Sequence, residues 1–203
     1  MGRITTVEAL RQHYRAPTER AVRKQLDHLD PHCRRFIELS PFMVLASSRP
    51  NGPGDVSPRG GEAGFVRVLD ATTVAFADSP GNNRLDTLEN IIANPEVGML
   101  FLVPGVDEAL RVNGTAEIDD DAALRESFAT RGRPPATVVR VAVREAYLHC
   151  AKAVMRARLW SPEARIDRST LPSMGEMLRE QIGLDGPAET QREMLARYEE
   201  TLY

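Results

Sequence analysis

The sequence predicts a mainly antiparallel β protein with helices added at both ends of the chain. Runs of strand-forming residues follow one another through the middle of the sequence, and turn-rich segments separate most of them. Helical periodicity is strongest in the first forty residues and in the tail after residue 160. Strands joined mostly by short turns favour an antiparallel sheet or barrel over a parallel sheet, whose strands need long crossover connections.

Composition narrows the class of protein. The 203 residues are 42% hydrophobic and 27% charged, which suits one compact globular domain. A net charge of −3, with no strongly basic half, does not support a nucleic-acid partner. The N-terminus lacks the apolar run of a signal peptide, and no stretch approaches the roughly 20 apolar residues that cross a bilayer. We therefore expect a soluble cytoplasmic protein without a membrane partner.

The cysteines and histidines support the same expectation. Cys33 and Cys150 lie far apart in a chain without an export signal, which is typical of reduced cytoplasmic thiols. The four histidines and two cysteines show no metal-ligand spacing, so no metal site is predicted.

The first 40 residues are predicted to be helical. Pro17 suits the first position of a helix, whose apolar residues then share one face: Val22, Leu26 and Leu29. Asp30 and Pro31 form a second start signal, an N-cap followed by proline at the first helical position. This helix has an apolar stripe of its own and ends at Ser40-Pro41: Cys33, Phe36 and Ile37.

The period changes at residue 42. The predicted strands cover residues 42–48, 55–57, 65–69, 73–77, 97–103, 109–118 and 137–147. Helices are predicted between strands at residues 84–93 and 120–130, and the tail is helical again from Ser161. With no repeat or long linker, we expect one domain over residues 1–203, made of a helical extension (1–40), a barrel core (41–160) and a C-terminal helical extension (161–203).

The segment from Asp78 to Asp86 joins a predicted strand to a helix through a polar, glycine-containing loop with Asn82 in its middle. Asn83 suits the N-cap, which places Arg84 in the first turn, where a cation opposes the helix dipole. That position makes sense if an anion such as a phosphate lies at the helix end. The alternative is a surface arginine that bonds Asp78 or Asp86, and the segment alone leaves both open.

A second polar cluster follows the first predicted strand and its turn, in the sequence DVSPRGG. Pro58 inside a strand requires the strand to end, bulge or lie at a sheet edge. Ser57 and Arg59 alternate onto one face, and Gly60 and Gly61 allow close approach of the backbone to another group. An arginine beside two glycines suits a contact to a phosphate or ribityl chain. An ordinary edge strand with a solvated arginine is the other interpretation, and this segment alone favours it.

A third segment, residues 110–118, alternates cleanly between apolar and polar side chains. Arg111 and Asn113 belong to the polar face, which is either the solvated side of a sheet or the lining of a polar cleft. His149, Cys150 and Lys152 form a tight group after the last strand. Adjacent residues of an extended chain face opposite ways, so a buried structural cysteine is favoured over a Cys–His nucleophile.

Taken together, these segments resemble the FMN-binding split-barrel superfamily named after pyridoxamine 5′-phosphate oxidase. The resemblance covers about Pro41 to Trp160 and lies closest to the bacterial subgroup of unassigned substrate. The order of five pieces carries it: PFMVLASSRPNG, DVSPRGG with GFV, FADSPGNNRLDTLENIIANPEVGMLFLVPG, LRVNGTAEI and YLHCAKAVMRARLW. It implies a six-stranded antiparallel split β-barrel with added N-terminal and C-terminal helices, in a homodimer with flavin sites at the interface.

The resemblance also implies a cofactor site for FMN. The residues it assigns to the cofactor are Ser57, Arg59, Asn82, Asn83, Arg84, Arg111, Asn113 and Lys152. Pyridoxamine-phosphate oxidases end on an arginine-bearing strand that grips the substrate phosphate, whereas this chain ends in about forty helical residues. The resemblance therefore does not extend to the vitamin B6 substrate.

The expected function is that of an FMN-binding protein, a flavin-dependent oxidoreductase acting on an unidentified small molecule. Flavin carries the redox chemistry itself, so the lack of an evident general acid or base does not argue against an enzyme. The alternatives are a non-catalytic flavin carrier or sensor, and a barrel that binds deazaflavin or haem, because a fold does not specify its ligand.

Overall fold

The computed structural model describes residues 2–78 and 81–201. Its centre is a curled antiparallel sheet, and all seven predicted runs form strands in it. The strands are β1 (Phe42–Ser48), β2 (Gly54–Gly60), β3 (Val66–Val68), β4 (Thr73–Asp78), β5 (Glu96–Leu102), β6 (Ala109–Asp119) and β7 (Thr137–His149). The expected count of six is corrected to seven, because the short β3 pairs with β4 as a separate strand.

The strand order is β2-β1-β5-β6-β7-β4-β3, and every neighbouring pair is antiparallel. Strands β2 and β3 follow each other in the chain, yet they form the two opposite edges of the sheet. When the sheet curls, these edges approach each other without pairing, which leaves the barrel split between them. The predicted split β-barrel is confirmed.

Alternation along the strands builds the core. Along most strands one side of the sheet is buried, and two helices pack on the sheet, α3 (Pro31–Leu39) and α4 (Asp86–Ala93). The largest fully buried side chains include Met43, Leu45, Phe76, Met99, Phe101, Leu110 and Val112. Asp30 caps α3 as predicted, because its carboxylate accepts a 2.7 Å hydrogen bond from the Cys33 backbone N–H.

The N-terminal helices are shorter than predicted. Helix α1 (Val7–Arg11) and helix α2 (Glu19–Arg23) are each capped by a threonine side chain. The prediction of a helix through Leu26 was wrong, because the chain leaves α2 and pairs instead with β7. Leu26 exchanges backbone hydrogen bonds of 3.0 and 2.8 Å with Ala146. In this extended conformation the backbone N–H and C=O of Leu26 are both hydrogen-bonded, as they would be inside a helix.

The remaining helices are α5 (Ala122–Ser127), α6 (Lys152–Ala157), α7 (Met174–Ile182) and α8 (Gln191–Thr201). The tail after Ser161 begins with two short 3₁₀ turns rather than an α-helix, over Pro162–Ala164 and Arg168–Thr170. Among the described residues, no helix is both long and apolar enough to span a bilayer.

Candidate functional site at the barrel split

Strand β2 forms one wall of the split. Pro58 lies in this edge strand, as its missing N–H requires. Ser57 pairs with Leu45 and Arg59 with Met43, so both polar side chains lie on the side of the sheet that bears the core. Both are half-buried. The prediction that Ser57 and Arg59 share a face is confirmed.

Arg59 reaches across the split to the end of β4. Its Nη1 lies 3.5 Å from Oδ1 of Asp78, and both side chains are largely buried. The Arg59 Nε is fully buried and has no hydrogen-bond partner among the described residues. Burial raises the pKa of the Asp78 carboxyl, and the attraction of Arg59 offsets this only in part. The pair therefore holds a cation with an unused donor beside a carboxyl whose charged form is destabilised by burial.

The loop before α4 has a different local structure from the predicted one. Asn83 is not the N-cap, because its φ of 58° is left-handed and the helix begins at Asp86 after Leu85. Asn82 instead accepts a 3.0 Å hydrogen bond from the backbone N–H of Arg84 through its side-chain oxygen. Among the described residues no side chain caps α4, which leaves its first N–H groups open to another acceptor.

Arg84 is highly exposed, and its Nε donates to the carboxylate of Asp86. This hydrogen bond raises the pKa of the Arg84 guanidinium. The pairing with Asp86 is one of the two interpretations that the sequence left open. Because the side chain remains in solvent, its ion pair contributes little to stability and can be exchanged for another anion.

A hydrogen-bonded network fastens α4 to β2 beside this loop. Thr87 donates a 2.8 Å hydrogen bond to Asp55 and lies 3.2 Å from the hydroxyl of Ser57. Asn90 donates to Ser47 at 3.1 Å, and both of these side chains are buried. The network brings Ser57 next to the first turn of α4, so the loop that bears Arg84 is held close to β2.

A cleft of about 440 Å³ opens along the split. Three arginines line it, Arg59, Arg67 and Arg131, together with one carboxylate, Glu62. The rest of the lining is mostly glycine and aromatic: Gly60, Gly61, Gly64, Phe65, Phe76 and Phe128. A cleft with this excess of cations suits an anionic ligand with a flat ring.

Two of these arginines were not predicted from the sequence. Arg67 lies 4.1 Å over the ring of Phe128 and donates a 2.6 Å hydrogen bond to the backbone oxygen of Ser127. The position of Arg67 on β3 follows from strand alternation, so this residue could have been found from the sequence. Arg131 lies in the α5–β7 connection at a φ of 51°, and no local pattern placed that connection beside β3.

Arg111 and Asn113 lie elsewhere. They share the outer face of β6, opposite the buried Leu110 and Val112, and both donate to Glu145 on β7. The structure therefore does not bring them together with Ser57 and Arg59 within one chain.

Lys152 is exposed in the first turn of α6. Just before it, His149 has its pKa lowered by burial and by the nearby charges of Lys24 and Arg111.

The cysteines differ from the prediction in one respect. Cys150 is exposed, so the expectation of a buried structural cysteine there was wrong. The chain has left β7 at this point and nothing covers the side chain. Cys33 is the buried cysteine, and burial raises the pKa of its thiol to about 12. Within the described ranges, no three histidine, cysteine or carboxylate side chains converge on a possible metal position.

A family model described as pyridoxamine 5′-phosphate oxidase matches residues 29–150 of the chain. The match covers more than half of the sequence and includes all seven strands. The chain belongs to the pyridoxamine 5′-phosphate oxidase family. The resemblance inferred from the motifs is thereby confirmed, and the split that carries Arg59 lies within the family's own region.

Other comparisons add no ligand to the family assignment. The curated proteins contain no match. A candidate pyridoxamine 5′-phosphate oxidase from Lactobacillus delbrueckii is 24% identical, covering 61% of this chain and 98% of its own at a TM-score of 0.49. HupZ from Group A Streptococcus is 19% identical, covering 59% and 92%, with a TM-score of 0.48. An F420 reductase is 23% identical, covering 57% and 94%, with a TM-score of 0.42.

Proposed function

We propose that this member of the pyridoxamine 5′-phosphate oxidase family binds FMN at the barrel split and acts as a flavin-dependent oxidoreductase on a small molecule. The observation that carries the proposal is the buried, unpartnered Nε of Arg59, which faces the split beside the loop that bears Arg84. A buried donor without a partner costs free energy, and a bound phosphate oxygen would supply the missing acceptor.

The residues at the split fit the chemistry of a flavin mononucleotide. Its phosphate needs cations and hydroxyl or N–H donors, which Arg59, Arg84 and Ser57 provide, together with the uncapped N–H groups at the start of α4. The cleft's glycines and phenylalanines suit a flat ring. When bound, FMN supplies hydride transfer, which is chemistry that the side chains of the cleft do not possess.

Both arginines have to exchange a carboxylate for the phosphate. Arg59 has Asp78 as its partner and Arg84 has Asp86, so neither arginine is without a counter-ion before the cofactor binds. Asp78 is the weaker competitor, because burial destabilises its charged form. This arrangement favours a doubly charged anion over a singly charged one, since only the former holds both arginines strongly.

In the proposed assembly, the polar residues on the outer face of the sheet contact the flavin of a second subunit. Arg111 and Asn113 lie opposite the core face, so they can approach a flavin only if another copy of the chain presents its split to them. The homodimer with shared flavin sites that the family resemblance implies would meet this condition, and we retain it as part of the proposal.

The experiment that tests the cofactor is the visible spectrum of the purified protein, followed by mass identification of any compound released on heating. Flavin bands with FMN in the released fraction support the proposal. A protein that cannot be loaded with FMN contradicts it, and deazaflavin or haem would then be titrated next.

The phosphate contact is tested with Arg84→Ala. We expect FMN affinity to fall by about 1.5–3 kcal/mol, the usual range for a hydrogen bond to a charged group. Arg144→Ala is the matched control, because Arg144 also forms an exposed ion pair, with Glu96, but lies on β7. Unchanged affinity in Arg84→Ala, or an equal loss in the control, would contradict the assignment.

Reduction of the FMN-loaded protein distinguishes an enzyme from a flavin carrier. Under anaerobic conditions with NADH or NADPH, flavin absorbance should bleach faster than that of free FMN. If a panel of donors produces no bleaching while FMN remains bound, the chain is a flavin carrier or sensor.

A further inference from the structure

The molecule exposes more surface than its size requires. The accessible surface is 14394 Å², whereas a compact monomer of 22.5 kDa exposes about 9,500 Å². The excess is about 4,900 Å². A surplus of this size indicates segments that project from the barrel instead of covering it.

One projecting segment is the C-terminal arm, residues 161–201. It is a built structure, because α7 and α8 pack against each other. The Arg168 guanidinium joins its parts through hydrogen bonds of 2.8 Å to Leu171 O and 3.0 Å to the Gln191 side chain. Gly175 is needed for this packing, since a Cβ there would lie 2.3 Å from the backbone oxygen of Glu189.

The arm leaves its apolar side chains in solvent. Of its large hydrophobic residues, Met194 alone is buried among those the structure describes. On α7 the exposed ones recur at every fourth position and so form a stripe on one face: Met174, Leu178 and Ile182. Exposed residues on α8 and in the connections enlarge the apolar surface: Ile166, Leu171, Leu184, Leu195 and Tyr198. The α7–α8 pair folds without burying the apolar stripe of α7. This exposed stripe therefore needs another surface to pack on.

The barrel of the same chain is not that surface. Neither α7 nor α8 packs closely on a strand within the described residues. At the base of the arm, the Trp160 indole N–H donates a 2.9 Å hydrogen bond to Val106 O and so anchors the chain where it leaves the barrel.

The N-terminal segment, residues 3–24, has the matching properties. It also projects, since neither α1 nor α2 buries a residue. Its large apolar side chains are exposed: Ile4, Val7, Leu10, Tyr14 and Val22. It carries six basic and two acidic residues, for a net charge of +4, whereas the arm carries five arginines and nine carboxylates, for a net charge of −4. The opposite net charges attract the two segments to each other, and their apolar side chains then exclude water from the contact.

We propose that the C-terminal arm of one protomer packs on the N-terminal segment of a second copy of this chain. Within the described residues, neither α1 nor α2 packs closely on α7 or α8, so a second copy brings together surfaces that each chain leaves separate. Reciprocal exchange of the two arms closes the assembly as a twofold dimer. The proposal concerns the free chain and does not depend on a bound cofactor.

Photo-crosslinking of the full chain tests the proposal. The variant Leu178→p-benzoylphenylalanine places the crosslinker on the exposed apolar stripe of α7. The matched control is Glu180→p-benzoylphenylalanine, two positions further on and also exposed, but turned away from the stripe. Heavy-isotope-labelled and unlabelled copies are mixed, unfolded, refolded together and irradiated, and the crosslinked peptides are mapped by mass spectrometry. The assembly mass is measured by sedimentation.

We expect a dimer, and mixed-isotope crosslinks from position 178 to residues 3–24 with at least ten times the yield from position 180. A monomer by sedimentation overturns the proposal. So do crosslinks that join only peptides of one isotope, mixed crosslinks that fall on the barrel strands, or equal yields from the two positions. Since both positions are exposed, neither variant is expected to impair folding.

Discussion

Arg59→Ala offers the sharpest test of the interactions at the barrel split. Its guanidinium is the cation nearest to the largely buried Asp78 carboxylate, at 3.5 Å. Two unit charges at that distance attract by about 5 kcal/mol at an effective dielectric constant of 20. Part of this is cancelled by the desolvation of both groups, and Arg59 keeps 27% of its side chain in solvent. We therefore expect the variant to lose about 2 kcal/mol of unfolding free energy at neutral pH.

The loss should depend on pH in a definite direction. In the folded chain, burial raises the pKa of Asp78 above its ordinary value of 3.8, so the folded state holds the proton to a higher pH than the unfolded state does. Removal of Arg59 raises this pKa further. The penalty in the variant is therefore greatest above the folded pKa and disappears as the pH falls to the unfolded value.

Urea unfolding at neutral pH and near pH 4.5 measures this dependence. The double variant Arg59→Ala with Asp78→Asn should recover at least half of the loss, because no uncompensated carboxylate remains. A cost below about 0.5 kcal/mol at neutral pH would refute the reasoning, because a loss that small is typical of an exposed ion pair. An undiminished cost in the Asp78→Asn background, or one that grows on acidification, would also refute it.

Three further predictions concern the framework around the site. Thr87→Val should cost about 1–3 kcal/mol of unfolding free energy, because it removes the 2.8 Å hydrogen bond to Asp55. Gly114→Ala should cost about 3 kcal/mol or more, since its Cβ would lie 2.1 Å from a backbone oxygen of β7. In the folded chain at pH 8, a disulfide reagent should label Cys150 rapidly and leave Cys33, whose pKa is about 12, unlabelled.

Each of these predictions has a control. Thr87→Ser keeps the hydroxyl and should retain most of the stability that Thr87→Val loses. Gly105→Ala adds a methyl group where nothing lies within 4 Å, although its φ of 86° brings a smaller backbone strain of its own. Unfolding in urea should expose the second thiol, so a labelling stoichiometry of two in the folded chain would contradict the buried position of Cys33.

The sequence by itself determined the local structure of the strands and of one helix start. Alternation along residues 110–118 sorted Arg111 and Asn113 onto one face. Pro58 required its strand to end, bulge or lie at a sheet edge, and the strand lies at an edge. Asp30 and Pro31 marked the start of α3. These features were predictable because each depends on backbone geometry within a few residues, where the period of two or a missing N–H decides the outcome.

Several local sequence patterns adopt a different structure from the one they predict. Leu26 stands at helical spacing but pairs with Ala146, because β7 offers it backbone partners that are distant in sequence. Asn83 resembles an N-cap, yet the loop adopts a left-handed turn there and the helix begins at Asp86. Local propensity is worth only tenths of a kcal/mol per residue, so tertiary contacts override it.

The tertiary structure alone decided which side chains meet. Arg59 meets Asp78 because the sheet curls until its first and last edges approach, and this closure places Arg67 and Arg131 in the same cleft as Arg59. Ser57 lies beside the first turn of α4 through its contact with Thr87. The same curl leaves Arg111 and Asn113 on the opposite face. Alternation along a strand is set by its own backbone, whereas the meeting of two sheet edges depends on the twist and register of all seven strands.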